Sequence, residues 1–302
     1  MPLVPLKSVL GQAALEGYAV GAFNVINLDF AEAILETATS LRSPVILSIA
    51  ELHFPFVKLE NICPALRDMV ARASLPVVLS LDHGKSLESV KRAIANGFTA
   101  VMIDGSALDF EGNVALTSAV VEVAAAAGVS VEAELGCVLG HESPSGQGAA
   151  DPGFFTDVDQ ARHFVHRTRV DALAVAVGNA HGRYKMKPRL DFPRIEGLAR
   201  ALGIPLVLHG GSGLPDEAIA EAIRLGIRKV NYYTEMAMAA FGTLREKLLG
   251  APPEYGPGHS DYPLLFKAVK DSVAREVASR MIVYGSAGKA RGEEPADIEV
   301  RS

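Results

Sequence analysis

The sequence predicts a single-domain α/β protein folded as a (β/α)8 TIM barrel, and three observations support that prediction. Eight short apolar and β-branched runs recur along the 302-residue chain, with helical patterns between them. Each run is nearly continuous in apolar character, as expected for parallel strands buried on both faces. The turn after the first run lacks the Gly-x-Gly-x-x-Gly pattern of an open doubly wound sheet. We therefore expect one closed barrel over residues 1–288.

The elements follow one another at short intervals from near the N-terminus to residue 231. The predicted strands are 19–24, 45–49, 77–82, 100–103, 129–134, 172–177, 206–209 and 229–231. The helical stretch after the first strand has apolar residues on one face, and Asn27 is its predicted N-cap. Thr156, with Asp159 three residues later, is the predicted start of another helix. Pro215 is the predicted start of a third.

Three segments do not fit this repeat of strand and helix. Residues 136–153 are rich in Gly, Ser and Pro, and residues 178–188 are similar but more basic. Both are longer than normal connectors, so we expect them to be functional lids or disordered segments. Residues 289–302 are charged and poor in large apolar side chains. This composition predicts a disordered tail.

The overall composition excludes several functional classes. The formal net charge is -6 and no basic run exists, so nucleic acid is not an expected partner. The two cysteines are too few for a disulfide framework. No apolar stretch approaches the length of a membrane span, and the first twenty residues lack the apolar core of a signal peptide. We expect a cytoplasmic protein that does not associate with membranes.

Three of the eight histidines, His83, His181 and His209, lie at or just beyond predicted strand ends and precede glycines. In a barrel the C-terminal strand ends converge on one face. One such histidine usually serves only as a hydrogen-bonding group. Three on the same face, with Asp104 and Glu134 between them, favour a ligand set, because three imidazoles with an open fourth position are typical of catalytic zinc. The alternative of three unrelated loop histidines is less consistent with these positions.

A glycine-rich turn at 210–213 follows the seventh strand. Glycines allow backbone N–H groups to approach an anion, and the helix that follows adds positive potential at its N-terminus. The loops after strands seven and eight commonly hold phosphate in barrels, and Asn231 and Thr234 follow strand eight. Such a turn alone usually indicates only a tight loop. Its position next to His209 is what predicts a phosphate site.

Five motifs, in the same order along the chain, resemble those of the class II fructose- and tagatose-bisphosphate aldolases over residues 1–288. They are Leu-Asp-His-Gly at 81–84, Met-Ile-Asp-Gly-Ser at 102–106, Val-Glu-Ala-Glu-Leu-Gly at 131–136, Gly-Asn-Ala-His-Gly at 178–182 with Tyr-Lys at 184–185, and His-Gly-Gly-Ser-Gly at 209–213. The resemblance implies a metal-dependent lyase. Its substrate would be a fructose- or tagatose-bisphosphate-like sugar or a related ketose 1-phosphate, split reversibly into dihydroxyacetone phosphate and an aldehyde.

The resemblance also implies roles for individual residues. Asp82 would protonate the aldehyde oxygen, and Glu142 would move the proton at the carbanion carbon. A zinc-type ion would be bound by His83, His181 and His209, with Asp104 and Glu134 at an alternative or second position. Substrate would be bound by Asn24, Gly182, Lys185, Gly210, Gly211, Ser212, Asn231 and Thr234. A monovalent cation and a homodimer or homotetramer are further expectations from the family.

The chain departs from the family pattern on the side of the acceptor aldehyde. Glu51 and His53 follow the second strand, where the family usually has small residues. Tyr232 and Tyr233 replace the small or acidic pair often found before Thr234. A carboxylate facing a second phosphate would repel it. These changes predict an acceptor aldehyde without a terminal phosphate.

Three alternatives to a metal-dependent aldolase are less consistent with the sequence. A metal-dependent hydrolase on the same fold would typically begin with a His-x-His pair at the first strand, where this chain has Asn24. A non-catalytic subunit of an aldolase complex would not need the three histidines and Asp82. A Schiff-base aldolase needs a lysine in the barrel, and within the predicted strands only Lys229, at the edge of strand eight, is available.

Overall fold

The computed structural model describes residues 3–138, 154–182, 189–249 and 261–290. Within these ranges, parallel strands pair in chain order and the last pairs with the first, which closes a barrel. The strands are β1 (Val20–Asn24), β2 (Val45–Ala50), β3 (Val77–Gly84), β4 (Ala100–Ile103), β5 (Ser130–Leu135), β6 (Ala172–Val175), β7 (Leu206–Leu208) and β8 (Ile227–Tyr232). The predicted fold class is confirmed, and every predicted strand overlaps an observed one.

Helices surround the barrel and connect its strands. In the described ranges they are α1 (Leu6–Glu16), α2 (Leu28–Ser40), α3 (Leu59–Ala71), α4 (Leu87–Ala95), α5 (Phe110–Ala126), α6 (Val158–Thr168), α7 (Phe192–Leu202), α8 (Asp216–Leu225), α9 (Thr234–Leu249) and α10 (Asp261–Val283), with a 3-10 turn at Glu51–His53. The predicted cap of α2 is confirmed, because the Asn27 side chain accepts a hydrogen bond from the Phe30 N–H at 2.9 Å. None of the described helices is long and apolar enough to cross a membrane.

The start of α6 differs by one residue from the prediction. Asp157 is the N-cap, and its carboxylate accepts hydrogen bonds from two N–H groups of the first turn. The Thr156 hydroxyl instead donates to the Leu135 carbonyl at 2.5 Å and accepts from the Ala176 N–H at 2.8 Å. Thr156 therefore connects the ends of two neighbouring strands, a tertiary contact that local sequence does not reveal.

The interior of the barrel changes from apolar to polar along the strands. At the N-terminal end, inward-facing strand residues pack against α1 in one apolar cluster that includes Leu6, Leu10, Val20, Ala22, Ile46, Val78, Ala100, Met102, Ala172, Ala174 and Val207. Residues two positions apart on a strand face the same side. The next inward positions therefore bring polar side chains to the C-terminal end, among them Asn24, Asp82, Asp104, His209 and Asn231. The helix α1 closes the opposite end.

β3 is two residues longer than predicted, and its last part is irregular. Its pairing with β4 shifts register between Leu81 and Gly84, and His83 has a φ of 46°. Such a left-handed backbone is uncommon for a residue other than glycine. As a consequence, Asp82 and His83 both line the same cavity, although consecutive residues of a regular strand face opposite sides.

The predictions for the two long connectors and the tail fall mostly on residues 139–153, 183–188 and 291–302. These residues lie outside the described ranges, so the predicted lids and the disordered tail remain predictions.

Candidate active site

The C-terminal strand ends and the loops after them enclose a cavity of about 680 Å³. Barrel enzymes carry their active sites at this end of the fold. The predicted site residues that line it are Asn24, Asp82, His83, His181, Gly182, His209, Gly210, Ser212, Asn231 and Thr234.

The three strand-end histidines meet in this cavity. Nε2 of His83 lies 3.2 Å from Nε2 of His181 and 2.9 Å from Nδ1 of His209. The potential ligand atoms of the three residues all lie within 4.8 Å of one another. His83 and His209 are buried, and His181 is half-buried. The structure thus brings together three residues that are far apart in the sequence, with one side of the cluster facing the cavity.

Two buried carboxylates orient two of the three rings. Asp104 Oδ2 lies 2.9 Å from His83 Nδ1, and Glu132 Oε1 lies 2.8 Å from His209 Nε2. A carboxylate accepts the hydrogen bond, so the nitrogen facing it carries the proton and the other ring nitrogen keeps its lone pair. The lone pairs are therefore on His83 Nε2 and His209 Nδ1, the atoms that face the centre of the cluster.

The histidine cluster fits a divalent ion of the zinc type. The lone pairs of His83 Nε2 and His209 Nδ1 face each other at 2.9 Å and would repel without a cation between them. Around a tetrahedral zinc at ~2.0–2.1 Å, ligand nitrogens stand about 3.3 Å apart, close to the separations of 2.9 and 3.2 Å in this cluster. Histidine ligands also usually donate their second ring N–H to a carboxylate or a carbonyl, as two of these rings do. The donor set and its orientation therefore suit such an ion.

Each of the two carboxylates that orient a histidine ring also contacts a lysine ammonium group. Lys229 Nζ lies 2.6 Å from Glu132 Oε2, and both side chains are buried. Lys85 Nζ contacts Asp104 Oδ2, and the Lys85 side chain is 46% exposed. Burial alone would raise the pKa of Glu132, but Lys229 and the histidine hydrogen bond outweigh it and hold that pKa at about 2. Burial also opposes ionisation of Asp104, yet its histidine and lysine partners hold its pKa below the usual range.

Glu134 lies near the same ring nitrogen of His83 that Asp104 contacts. Its Oε2 is 3.9 Å from His83 Nδ1 and has no hydrogen-bond partner among the described residues. Burial, and then the negative charge of Asp104, raise the pKa of Glu134 to about 8. His83, Asp104 and Glu134 form a second group whose potential ligand atoms lie within 4.8 Å of one another. The alternative or second metal position predicted from the sequence would lie here.

Two amide side chains hold the Asp82 carboxylate beside the histidines. Asn24 Nδ2 donates to Asp82 Oδ2 at 2.8 Å, and Asn231 Nδ2 donates to Oδ1 at 2.9 Å. The same Oδ1 lies 4.0 Å from His83 Nε2. The two asparagines were predicted to bind substrate. In this structure they fix the orientation of the acid predicted to transfer a proton.

The predicted phosphate loop is assembled only in part at the cavity surface. Gly210 has a φ of 63°, and a Cβ there would lie 2.1 Å from the Ala180 carbonyl oxygen, so this position requires glycine. Gly211 is not among the lining residues, and its N–H donates to the Asn231 carbonyl at 3.2 Å. The predicted substrate-binding residues of these loops that do line the cavity are Gly182, Gly210, Ser212 and Thr234.

Two predicted site residues, Glu142 and Lys185, lie outside the described ranges. Their assigned roles in carbanion protonation and substrate binding remain predictions.

A profile of the family described as fructose-bisphosphate aldolase class-II matches residues 4–289. The chain belongs to this aldolase family. The fructose-bisphosphate aldolase of Geobacillus stearothermophilus is 42% identical over 295 residues, which cover 96% of this chain and 99% of the relative. The fructose-bisphosphate aldolase of Thermus caldophilus is 41% identical over 313 residues, which cover 95% and 100%.

Solved structures give the same result for the fold. The crystal structure of the YdjI aldolase from Escherichia coli K12 has a TM-score of 0.84 to this aldolase at 34% identity. The match covers 96% of this chain and 100% of that one. This aldolase is therefore a lyase on a TIM barrel, as the sequence motifs imply.

Three charged residues at the site of the aldolase, Lys85, Glu132 and Lys229, were not predicted as site residues from the sequence. Glu132 lies two positions before Glu134 on β5, so the two share one strand face, and this spacing is the signal that could have identified it. Lys229 was considered only as a Schiff-base lysine. It is 1% exposed, pairs with Glu132 and is not among the cavity-lining residues, which argues against that role.

Proposed function

We propose that this aldolase cleaves a ketose phosphate reversibly into dihydroxyacetone phosphate and an aldehyde, with a zinc-type ion held by His83, His181 and His209. The observation that carries the proposal is the meeting of three imidazole nitrogens in the cavity, two of them turned inward by buried carboxylates. Three protein ligands beside an open cavity are typical of a catalytic zinc site.

The chemistry requires stabilisation of a carbanion. Breaking the carbon–carbon bond leaves its electron pair on the dihydroxyacetone phosphate fragment as an enediolate. When bound, the ion supplies the positive charge that lowers the energy of this anion. No covalent intermediate with the protein is then needed, in keeping with the buried, paired state of Lys229.

Asp82 is the proposed proton carrier at the aldehyde oxygen. During cleavage its carboxylate takes the proton of the hydroxyl group that becomes the aldehyde, and during condensation it returns that proton. Asn24 and Asn231 hold the carboxylate at the cavity surface for this transfer. The enediolate carbon takes up a second proton to give dihydroxyacetone phosphate, and Glu142 is the residue proposed to deliver it.

The phosphate of dihydroxyacetone phosphate is proposed to bind at Gly182, Gly210, Ser212 and Thr234. These residues line the same cavity as the histidines, and α8 begins shortly after this turn. Backbone N–H groups, hydroxyls and a helix N-terminus are the usual phosphate-binding groups in the last loops of a barrel.

The proposal is tested by screening phosphorylated ketoses for release of dihydroxyacetone phosphate before and after treatment with a chelator. We expect about one zinc-type ion per chain, loss of activity with the ion, and recovery on adding zinc. His209→Ala should lose most of the metal. The matched control is His166→Ala, since His166 is exposed on α6 and should leave metal content unchanged. Full activity in excess chelator, after time for exchange, would refute the metal mechanism.

We further propose a homodimer or homotetramer, a cytoplasmic location and a bound monovalent cation. Light scattering on the purified protein tests the first of these. Activity in potassium, sodium and tetramethylammonium salts tests the last.

A further inference from the structure

Two chains of contacts with the same chemistry lead away from the histidine cluster. In one, His209 contacts Glu132, and the second oxygen of Glu132 contacts Lys229. In the other, His83 contacts Asp104, which in turn contacts Lys85. Each chain runs from imidazole to carboxylate to ammonium. Two carboxylates therefore contact the histidine cluster, and each carboxylate also contacts one lysine.

The two chains differ in their exposure to solvent. Lys229 and Glu132 are 1% and 0% exposed and lie among the inward-facing residues of the barrel. Glu132 is in register with Met102, and Lys229 with Val207, both members of the apolar cluster around α1. Lys85, by contrast, is 46% exposed at the cavity. The charge of Lys229 is therefore screened far less by water than that of Lys85.

A lysine in this position has a definite electrostatic effect. A carboxylate behind a histidine ligand attracts a divalent ion and lowers the net charge of the metal site. An ammonium group on that carboxylate cancels this attraction while leaving the hydrogen bond to the ring intact. The carboxylate can then orient the histidine without reducing the positive charge available to an anionic reaction intermediate.

We propose that Lys229, and more weakly Lys85, keep the metal centre strongly positive by neutralising the carboxylates that orient His209 and His83. Both are positioning residues that act on the metal site through a carboxylate, Lys229 from outside the cavity lining and Lys85 through Asp104 at the cavity. They weaken metal binding and strengthen stabilisation of the enediolate. This inference rests on the proposed metal-dependent function.

The two members of the buried pair can be tested against each other, because their removal should have opposite effects on zinc affinity. Glu132→Gln removes the attractive charge and leaves the ammonium, so zinc binding should weaken by about ten- to hundredfold. Lys229→Met keeps the side-chain length and removes the repulsive charge. Zinc binding should then tighten roughly fivefold or more, as expected for removing one unit charge near a divalent ion. Affinities are measured by competition with a chromophoric chelator, and the zinc stoichiometry is determined in parallel.

A merely structural role for the pair predicts a different pattern, in which both substitutions loosen the site and weaken zinc binding. Under our proposal, by contrast, zinc-loaded Lys229→Met should have a lower kcat than the wild type although it binds the metal more tightly. Lys85→Met provides a second test if the buried variant does not fold. It should shift the zinc affinity in the same direction by a smaller factor, with the stoichiometry unchanged.

The outcomes separate this inference from the proposed function. A wild-type protein that binds no zinc contradicts both. A wild-type protein that binds zinc, together with lysine variants that bind it more weakly, overturns only the role of the lysines. Tighter binding by the lysine variants and weaker binding by Glu132→Gln supports it.

Discussion

The Asp82 carboxylate borders the cavity, and each of its two oxygens accepts a hydrogen bond from an asparagine side-chain amide. This arrangement fixes the orientation of the carboxylate at the cavity, outside the cluster of three histidines. A side chain that only oriented a metal ligand would be expected to hydrogen-bond to one of the three histidine rings. The Asp82 carboxylate instead lies 4.0 Å from His83 Nε2, a separation longer than a hydrogen bond.

Asp82→Ala should therefore separate proton transfer from metal binding. We expect kcat to fall by roughly two to four powers of ten, the usual contribution of a general acid or base. Zinc content should stay near that of the wild type. Steady-state kinetics and metal analysis of the same preparation measure the two effects. Loss of the metal would assign Asp82 to orientation of the ligands instead.

At the scale of elements, the strands were predictable because residues buried on both faces leave a continuous apolar run in the sequence. The end of β3 could not be predicted in this way, because the irregular backbone at His83 depends on pairing with β4. The same limit applies to the site. Its histidines could be predicted from their strand-end positions, whereas the contact of Glu132 with Lys229 depends on two strands meeting inside a closed barrel.

Substitutions at Thr156 and Asp157 compare how much a tertiary hydrogen-bond contact and a local helix cap contribute to the free energy of unfolding. Thr156→Val leaves the Leu135 carbonyl and the Ala176 N–H without their buried partner, which costs about 1–3 kcal/mol for each unsatisfied group. Asp157→Ala removes an exposed helix cap and should cost about 1 kcal/mol. Urea unfolding of both variants measures the difference. A larger loss for Asp157→Ala would mean that the hydroxyl bridge contributes little.

At the scale of the whole molecule, the distribution of charge around the cavity bears on the acceptor aldehyde. Among the described lining residues, Lys85 is the one lysine or arginine, and its ammonium group contacts Asp104. Glu51 also lines the cavity, and its carboxylate accepts the Lys85 backbone N–H at 2.6 Å. The described part of the cavity therefore offers a second phosphate little positive charge.

We accordingly expect ketose 1-phosphates to be cleaved with a higher kcat/KM than the corresponding 1,6-bisphosphates. A carboxylate ~4 Å from a phosphate costs roughly 4 kcal/mol per charge pair at a surface-like dielectric. Glu51→Gln removes this charge and retains an oxygen that can accept the backbone hydrogen bond. It should improve the bisphosphates relative to the monophosphates. A tenfold preference of the wild-type protein for bisphosphates would contradict the expectation.

The helix α1 has a consequence for the order of folding. It precedes β1 in the sequence, yet it packs against residues of strands as distant as β8. Its surroundings do not exist until most of the barrel has closed, so its docking is a late event. Leu10, fully buried in that contact, should have little influence on the folding rate. Leu10→Ala is expected to lower stability by about 2–5 kcal/mol and to act almost entirely by accelerating unfolding. Stopped-flow folding and unfolding rates measure this, and a matching decrease in the folding rate would instead place α1 in the folding nucleus.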